Sequence, residues 1–268
     1  MRILSAVFAS LLLSAAFAGS ARADISVADG LTQEYTVEPG KGYEGTLHIK
    51  NSGDAPAQAK IYQTDYLFFC DGRNIYGKPG TDPRSNAKWV QLSHDFLTIP
   101  PKETVGFNYS IRVPQKPALS GTYWSLVMIE EAAVPPEAGG KEQKVQVGIR
   151  QVIRYGVQVV TQVGATGRSK VALPKKELVK KDGKNVFELE IANSGQRWIV
   201  PEVSLELFNS KGGKAGLFHG RKMRVYPGTC VRQEIELPAL PPGRYTGRIV
   251  VDGGEDDVFG ARTEITLK

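Results

Sequence analysis

Apolar and polar residues alternate with a period of two along most of the chain after residue 23, and this pattern constrains the fold more than any other feature. Turn-forming residues interrupt it repeatedly, with 29 Gly and 16 Pro in the 268 residues, whereas helix signals are almost absent. The clearest predicted strands cover residues 44–50, 58–69, 104–113 and 122–129. Several strands of this length separated by turns predict an all-β sandwich or barrel.

Three short segments recur in the same order in both halves of the chain. Residues 47–53 (LHIKNSG) are echoed by 189–195 (LEIANSG), residues 99–104 by 225–229, and Gly-x-Tyr at 121–123 by 243–245. Each echo is a strand edge with its own turn chemistry, which predicts two tandem immunoglobulin-like sandwiches. The alternative is that the two halves are unrelated and are similar by chance, because β-turns use the same few residue types. Tyr123 and Tyr245 are expected to make the corner contact typical of such sandwiches.

The predicted division is a signal peptide at residues 1–23, an N-terminal domain at 24–163 and a C-terminal domain at 169–268. Arg2 precedes an apolar, small-residue run at 6–18, and Ala21-Arg22-Ala23 fits a cleavage site. The alternative is an N-terminal anchor, but the run is shorter than a membrane span of about 20 residues. No later stretch is long enough to span a bilayer, so the sequence predicts an exported mature chain with no membrane span.

The two cysteines, Cys70 and Cys230, fall in different predicted domains. A disulfide requires close Cα atoms, so the pattern favours two small buried side chains over a bridge. The mature chain carries 32 basic and 28 acidic residues, a net charge of +4 that is spread along its length. Without a stacking platform of aromatic residues beside the basic ones, nucleic-acid binding is not expected.

No catalytic or metal-binding motif is found in the sequence. The three histidines lack metal-ligand spacing, and Ser93-His94-Asp95 is consecutive, whereas the members of a triad converge in space. The acidic segment 252–257 lacks the spacing of a calcium loop and is expected to be a hairpin turn. We therefore expect no enzyme activity, no metal and no cofactor.

One segment, residues 145–160, carries a functional hint. It alternates over sixteen residues, about 53 Å if extended, whereas strands of 5–6 residues are commonest. We expect this segment to be the last strand of the first domain and to lie at or near a sheet edge. Its apolar odd positions either pack in their own domain or are offered to another chain by strand addition. The preceding residues 132–144, rich in Pro and Gly, are expected to form a long loop.

Within this segment, Val145–Tyr155 resembles the donor strand of the periplasmic chaperones of pilus and fimbria assembly, a family with two immunoglobulin-like domains set at an angle. The likeness extends to Trp89-Val90-Gln91-Leu92, to residues 96–104 and to Asp252-Gly253-Gly254. It implies a periplasmic protein that binds unfinished pilus or surface subunits and works with an outer-membrane usher.

The resemblance also implies roles for single residues. The donated side chains would be Val145, Val147, Ile149 and Ile153. Arg154 would hold the carboxylate at the end of the subunit, and Tyr35 stands where the family has a second arginine. The alternative function is a secreted structural or adhesive module that makes contact through its loops. Burial of all odd positions of 145–155 within the isolated protein would favour that alternative.

Overall fold

The chain is an all-β protein of two immunoglobulin-like sandwiches. The computed structural model describes residues 24–116, 118–132, 152–238, 240–254 and 257–268. In these ranges the strands are β1 (Ile25–Val27), β2 (Thr32–Val37), β3 (Gly42–Asn51), β4 (Ala57–Phe68), β5 (Asn74–Gly77), β6 (Val90–Leu92), β7 (Phe96–Ile99), β8 (Thr104–Arg112), β9 (Gly121–Glu131), β10 (Arg154–Val163), β11 (Val171–Ala172), β12 (Lys176–Lys181), β13 (Lys184–Asn193), β14 (Glu202–Asn209), β15 (Lys214–His219), β16 (Cys230–Leu237), β17 (Gly243–Asp252) and β18 (Val258–Leu267). Within these ranges, no helix is long and apolar enough to cross a membrane.

In the described part of the chain, the first sandwich is built from β1 to β10. One sheet has the order β1-β3-β8-β6, and the other has the order β2-β10-β9-β4-β5 with β7 also paired to β4. Alternate residues of the two sheets face each other and form its core, including Leu47, Ile49, Phe107 and Ile129, all 0–1 % exposed. The period-two pattern of the sequence therefore reports a real inner and outer face.

The second sandwich is built from β11 to β18. One sheet has β13 between β12 and β16, with the short β11 also paired to β13, and the other has the order β15-β14-β17-β18. Its core is separate from that of the first sandwich and includes Phe187, Leu189, Leu205 and Ile249. Because each sandwich has two sheets and a core of its own, each has the elements of an independent folding unit.

Two buried asparagines, Asn51 and Asn193, show that the repeated segments do the same structural work. Each side-chain amide donates to the carbonyl four residues later (2.8 and 2.7 Å) and to the carbonyl of Ile99 or Val225 (3.1 and 3.0 Å). Each Oδ1 accepts the N–H two residues later at 2.9 Å. The repeat is therefore a shared hydrogen-bonding device that ties a strand end to a distant turn.

The predicted tyrosine corner forms in the second sandwich. The Tyr245 hydroxyl donates to the carbonyl of Pro241 at 2.7 Å. Tyr123 occupies the equivalent sequence position, but its ring packs on Trp89 with centroids 4.6 Å apart. It belongs to a small cluster with Val37, Val113 and Val163 at the end of the first sandwich.

The outer face of the β12-β13-β16 sheet carries a buried carboxylate. The Glu188 side chain is 5 % exposed and lies in register with Glu177 and Glu234 on the neighbouring strands. Lys181 and Lys175 contact its two oxygens at 2.7 and 2.9 Å. These hydrogen bonds lower the pKa of Glu188 from 4.5 to about 2.

We expect the stability of the second sandwich to fall as the pH drops from about 4.5 to about 2. A carboxyl group whose pKa is depressed by folding stabilises the folded state above its unfolded pKa and loses that contribution as it is protonated. Thermal unfolding at a series of pH values measures this loss. The Glu188→Gln variant should be less stable than the parent protein at neutral pH, and its melting temperature should fall less steeply as the pH is lowered. Equal slopes for the two proteins would contradict the assignment.

A disulfide joins the two sandwiches, contrary to the prediction of two unpaired cysteines. Cys70 follows β4 and Cys230 begins β16, and their Cα atoms are 4.9 Å apart. The prediction was wrong because it assumed that separate domains keep their cysteines apart. The sandwiches instead meet along this side, a packing arrangement that the strand pattern of the sequence does not encode.

Backbone contacts also hold the sandwiches close together. The N–H of Thr122 donates to the carbonyl of Gln196 at 2.8 Å, and the N–H of Trp198 donates to Thr122 Oγ1 at 3.0 Å. Gly121, at φ +79°, leaves no room for a Cβ, which would lie 2.0 Å from the Gln196 oxygen. The close contact between the two sandwiches at this turn therefore requires a glycine at position 121.

Candidate functional site

The strand β10 is flanked differently along its length. It pairs with β9 over all ten residues, from Arg154 opposite Glu130 to Val163 opposite Gly121. It pairs in parallel with β2 only from Gln158 to Val163. The expected edge strand therefore lies inside its sheet from Gln158 onward, because β2 covers that half.

The first four residues of β10 leave one edge open within the described residues. The N–H of Gln158 donates to the carbonyl of Leu31 (2.9 Å), so it points toward β2. Backbone groups alternate sides along a strand, which directs those of Gly156 and Arg154 to the same side, ahead of the start of β2. The chain before β2 leaves for the other sheet, where Ala28 donates to the His48 carbonyl.

Large apolar side chains surround this open edge. Leu31, Val152 and Ile153 are 48 %, 45 % and 52 % exposed. An apolar strand edge of this kind favours pairing with another chain. The open edge of β10, defined as Val152–Val157 with Leu31, is therefore the candidate site.

The odd positions of β10 face the interior of their own sandwich. Val157 and Val159 are fully buried in the first core, and Tyr155 packs against it. Ile153 continues the same alternation but is exposed. Val145, Val147 and Ile149, the other predicted donor side chains, lie outside the described residues, as do residues 133–144 of the predicted loop.

The predicted carboxylate clamp, Arg154, is already bound to a carboxylate. Its Nε lies 2.6 Å from Glu130 Oε2, and the Glu130 side chain is only 14 % exposed. Tyr62 donates to the same oxygen at 3.3 Å, and burial together with the Glu130 charge raises the pKa of Tyr62. A carboxylate from a partner would have to share or displace this ion pair.

A cavity of about 580 Å³ lies beside Arg154 on the outer face of the sheet. Its lining comes from β4, β5, β9 and β10: Tyr62, Thr64, Tyr66, Tyr76, Leu126, Met128, Arg154, Gly156 and Gln158. Leu126 and Met128 are 3 % and 7 % exposed, so apolar side chains form its floor under a rim of tyrosines. This surface continues from the open edge of β10 toward the second sandwich.

An aromatic stack fills the junction between the sandwiches. The rings of Trp124 and Tyr226 lie 4.5 Å apart and nearly parallel, at 9°. The Tyr226 hydroxyl donates to Gln158 Oε1, which links the second sandwich to the point where β2 meets β10. Burial raises the pKa of Tyr226 to about 12, so the hydroxyl keeps its proton as a donor at neutral pH.

Charged residues line the same junction. Arg224 lies 3.6 Å from Glu34 and 4.2 Å from the centre of the Trp198 ring. Burial raises the pKa of Glu34, and the Arg224 charge partly offsets this. Sequence reasoning missed this cluster, although Tyr226 occupies the repeat position that holds Pro100 in the first half, which marks a change of environment.

Tyr35, which stands where the resemblance implies an arginine, is part of an aromatic cluster. Its ring stacks on Tyr43 at 3.8 Å, and its hydroxyl lies 3.2 Å from that of Tyr109. Burial raises the pKa of both Tyr43 and Tyr109. This position therefore offers packing rather than a charge.

The Ser93-His94 pair and the acidic segment 252–257 make local hydrogen bonds. Ser93 Oγ lies 2.8 Å from His94 Nδ1 and accepts the N–H of Asn108, on an exposed surface. The strands on either side of the acidic segment pair as in the expected hairpin, with Asp252 opposite Val258, and the N–H of Gly253 donates to the Asp257 carbonyl.

Comparisons with known proteins find similar folds at low sequence identity. The class 5 fimbriae chaperone CfaA is 12% identical, with a TM-score of 0.45 over 91% of this chain and 100% of that one. The E. coli chaperone DraB is 13% identical, with a TM-score of 0.41 over 92% of this chain and 97% of that one. A chain of the complex of CsuC with the tip subunit CsuE from Acinetobacter baumannii is 13% identical, with a TM-score of 0.42 over 92% of this chain and 99% of that one. No family model matches the sequence, and no curated protein sequence matches it.

Proposed function

We propose that the protein is a periplasmic chaperone that binds incompletely folded pilus or surface subunits by β-strand addition. The observation that carries the proposal is the open edge of β10, where backbone positions that no described residue pairs with lie together with three exposed apolar side chains. Main-chain hydrogen bonds to such an edge supply affinity, and alternate side chains supply specificity. The class of client comes from the sequence resemblance.

The direction of the alternation supports a donor role for Ile153. It stands one residue before β10 begins, and the alternation of β10 continued by one residue places it on the face of Val157, which is fully buried. Ile153 is itself 52 % exposed. A client with an unfilled apolar groove would cover the exposed half of this side chain and gain about 1–1.5 kcal/mol from its burial. Val145, Val147 and Ile149 would extend the same row, and Arg154 would hold a client carboxylate in exchange for Glu130.

The proposed division is a signal peptide at 1–23, followed by domains at 24–163 and 169–268. Export to the periplasm would place the protein where pilus subunits emerge unfolded, and an outer-membrane usher would receive the complex. An oxidising compartment also suits the disulfide. The exposure of Ile153 favours this function over an adhesive module that uses only its loops.

A photo-crosslinking amino acid at position 153, introduced into the full chain in a host that makes pili, tests the proposal. We expect a covalent product with a β-sandwich subunit, identified by mass spectrometry. The same crosslinking amino acid at position 258 is the matched control, because Val258 is 57 % exposed and lies on the second sandwich. Equal labelling from both positions, or no product from 153, would count against strand addition at this edge.

A further inference from the structure

The disulfide bridges two separately built units across 160 residues of sequence. Cys70 lies at the end of β4 in the first sandwich, and Cys230 lies at the start of β16 in the second. Each sandwich keeps its own sheets and its own core. The bridge is therefore placed to fix the position of one sandwich relative to the other rather than to staple either fold.

The bridge lies in the wall of an open cavity of about 440 Å³ between the sandwiches. Both cysteines are half-buried, and both belong to the cavity lining. A disulfide reacts only when a thiolate can reach one of its sulfur atoms. The cavity provides that access, whereas a disulfide enclosed in a core would not.

Arginines line the cavity beside the bond, namely Arg73, Arg224 and Arg232. Arg73 and Arg224 are paired with Asp71 and Glu34 at 2.5 and 3.6 Å, so their charges are largely balanced. Exchange at this bond therefore depends on the access of a thiolate to the sulfur atoms. Glu190 lies within 4.8 Å of both sulfur atoms, but its carboxylate is paired with Arg232 at 2.8 Å.

Non-covalent contacts also join the two sandwiches. The Trp124–Tyr226 stack and the hydrogen bonds of Thr122 do not involve either cysteine. Phe68, two residues before Cys70, also packs against Tyr226 and the core of the second sandwich, so opening the bridge would loosen this side of the junction without separating the sandwiches. That side borders Gln158, which lines this cavity and also the one beside the open edge of β10.

We propose that Cys70–Cys230 is a reversible redox site that sets the width of the cleft between the sandwiches. A dithiol reductant, small or protein-borne, attacks one sulfur through its thiolate and forms a mixed disulfide, releasing the other cysteine as a thiolate. Its second thiol then displaces the attached cysteine. Two electrons and two protons pass to the cysteines, and the reductant leaves as a disulfide. The consequence for client binding rests on the proposed function.

The test uses the mature full chain with and without dithiothreitol, in the absence of denaturant. We expect two titratable thiols per chain after reduction, an unchanged far-UV circular dichroism spectrum, and a broader distance distribution in small-angle X-ray scattering. The double variant Cys70→Ser, Cys230→Ser should show the broad distribution under both conditions.

Two results would overturn the redox site: thiols that appear only in denaturant, or a scattering profile that is the same in the oxidised, reduced and doubly substituted proteins. These readouts need no client, so they stand or fall apart from the proposed function. Client capture by the oxidised protein and by the double variant is measured separately. Equal capture would overturn the link to client binding alone.

Discussion

Replacing Asn193 by alanine should lower the free energy of unfolding of the second sandwich by about 3–5 kcal/mol. The side chain is 2 % exposed and satisfies the carbonyls of Arg197 and Val225 and the N–H of Gly195. Alanine leaves these three groups without partners, the Val225 carbonyl buried and the other two partly buried, at a cost of about 1–3 kcal/mol for each group that water does not reach. The loss is large because the turn and the strand end are both held by this one residue.

Thermal unfolding of the full chain measures the effect, and hydrogen exchange of the β13 and β16 amides assigns it to the second sandwich. For a domain of this size, each kcal/mol lowers the melting temperature by about 4–8 °C. Asn193→Asp keeps the acceptor but loses both donors, so it should also be destabilising. Asn185→Ala, on the same strand but half-buried, is the control. A melting temperature within a few degrees of the parent protein would contradict the role assigned to Asn193.

The repeat and the strands could be predicted because their causes are local. Turn residues and period-two alternation can each be recognised within a few consecutive residues. The predicted strand at 104–113, for example, is observed as Thr104–Arg112. The Asn-Ser-Gly turns were found the same way, since one asparagine organises its own turn. The disulfide could not be predicted, because it depends on how two sandwiches pack, and alternation carries no information about that.

The site was predictable only in part for a similar reason. Alternation indicates which residues of β10 share a face, but not which strand lies on each of its edges. The parallel pairing of β2 from Gln158 onward closes half of the expected edge. Arg154 was singled out by the resemblance to the chaperone family, whereas its ion pair with Glu130 arises from the register of β9. Non-local pairing therefore decides how much of the strand a partner can reach.

Replacing Ile153 by aspartate should abolish client capture while leaving the fold intact. The side chain is 52 % exposed, so the isolated protein loses little packing. In the complex, the aspartate would enter an apolar groove, where it loses the burial energy of isoleucine and has no partner for its charge. Together these effects amount to more than about 2.7 kcal/mol, or a 100-fold loss of affinity. Pull-down from periplasmic extract, with the melting temperature as a check on folding, measures it.

The neighbouring residue provides a matched control for the direction of the donated face. Val152 is 45 % exposed and lies one residue away, so Val152→Asp adds the same charge to the same edge on the opposite face of the strand. If alternate side chains fill the client's groove, the loss at 153 should exceed the loss at 152 by at least about tenfold. Similar losses at both positions would mean that the edge repels any added charge and that no side chain is donated. Unchanged capture in both variants would remove β10 from the binding surface.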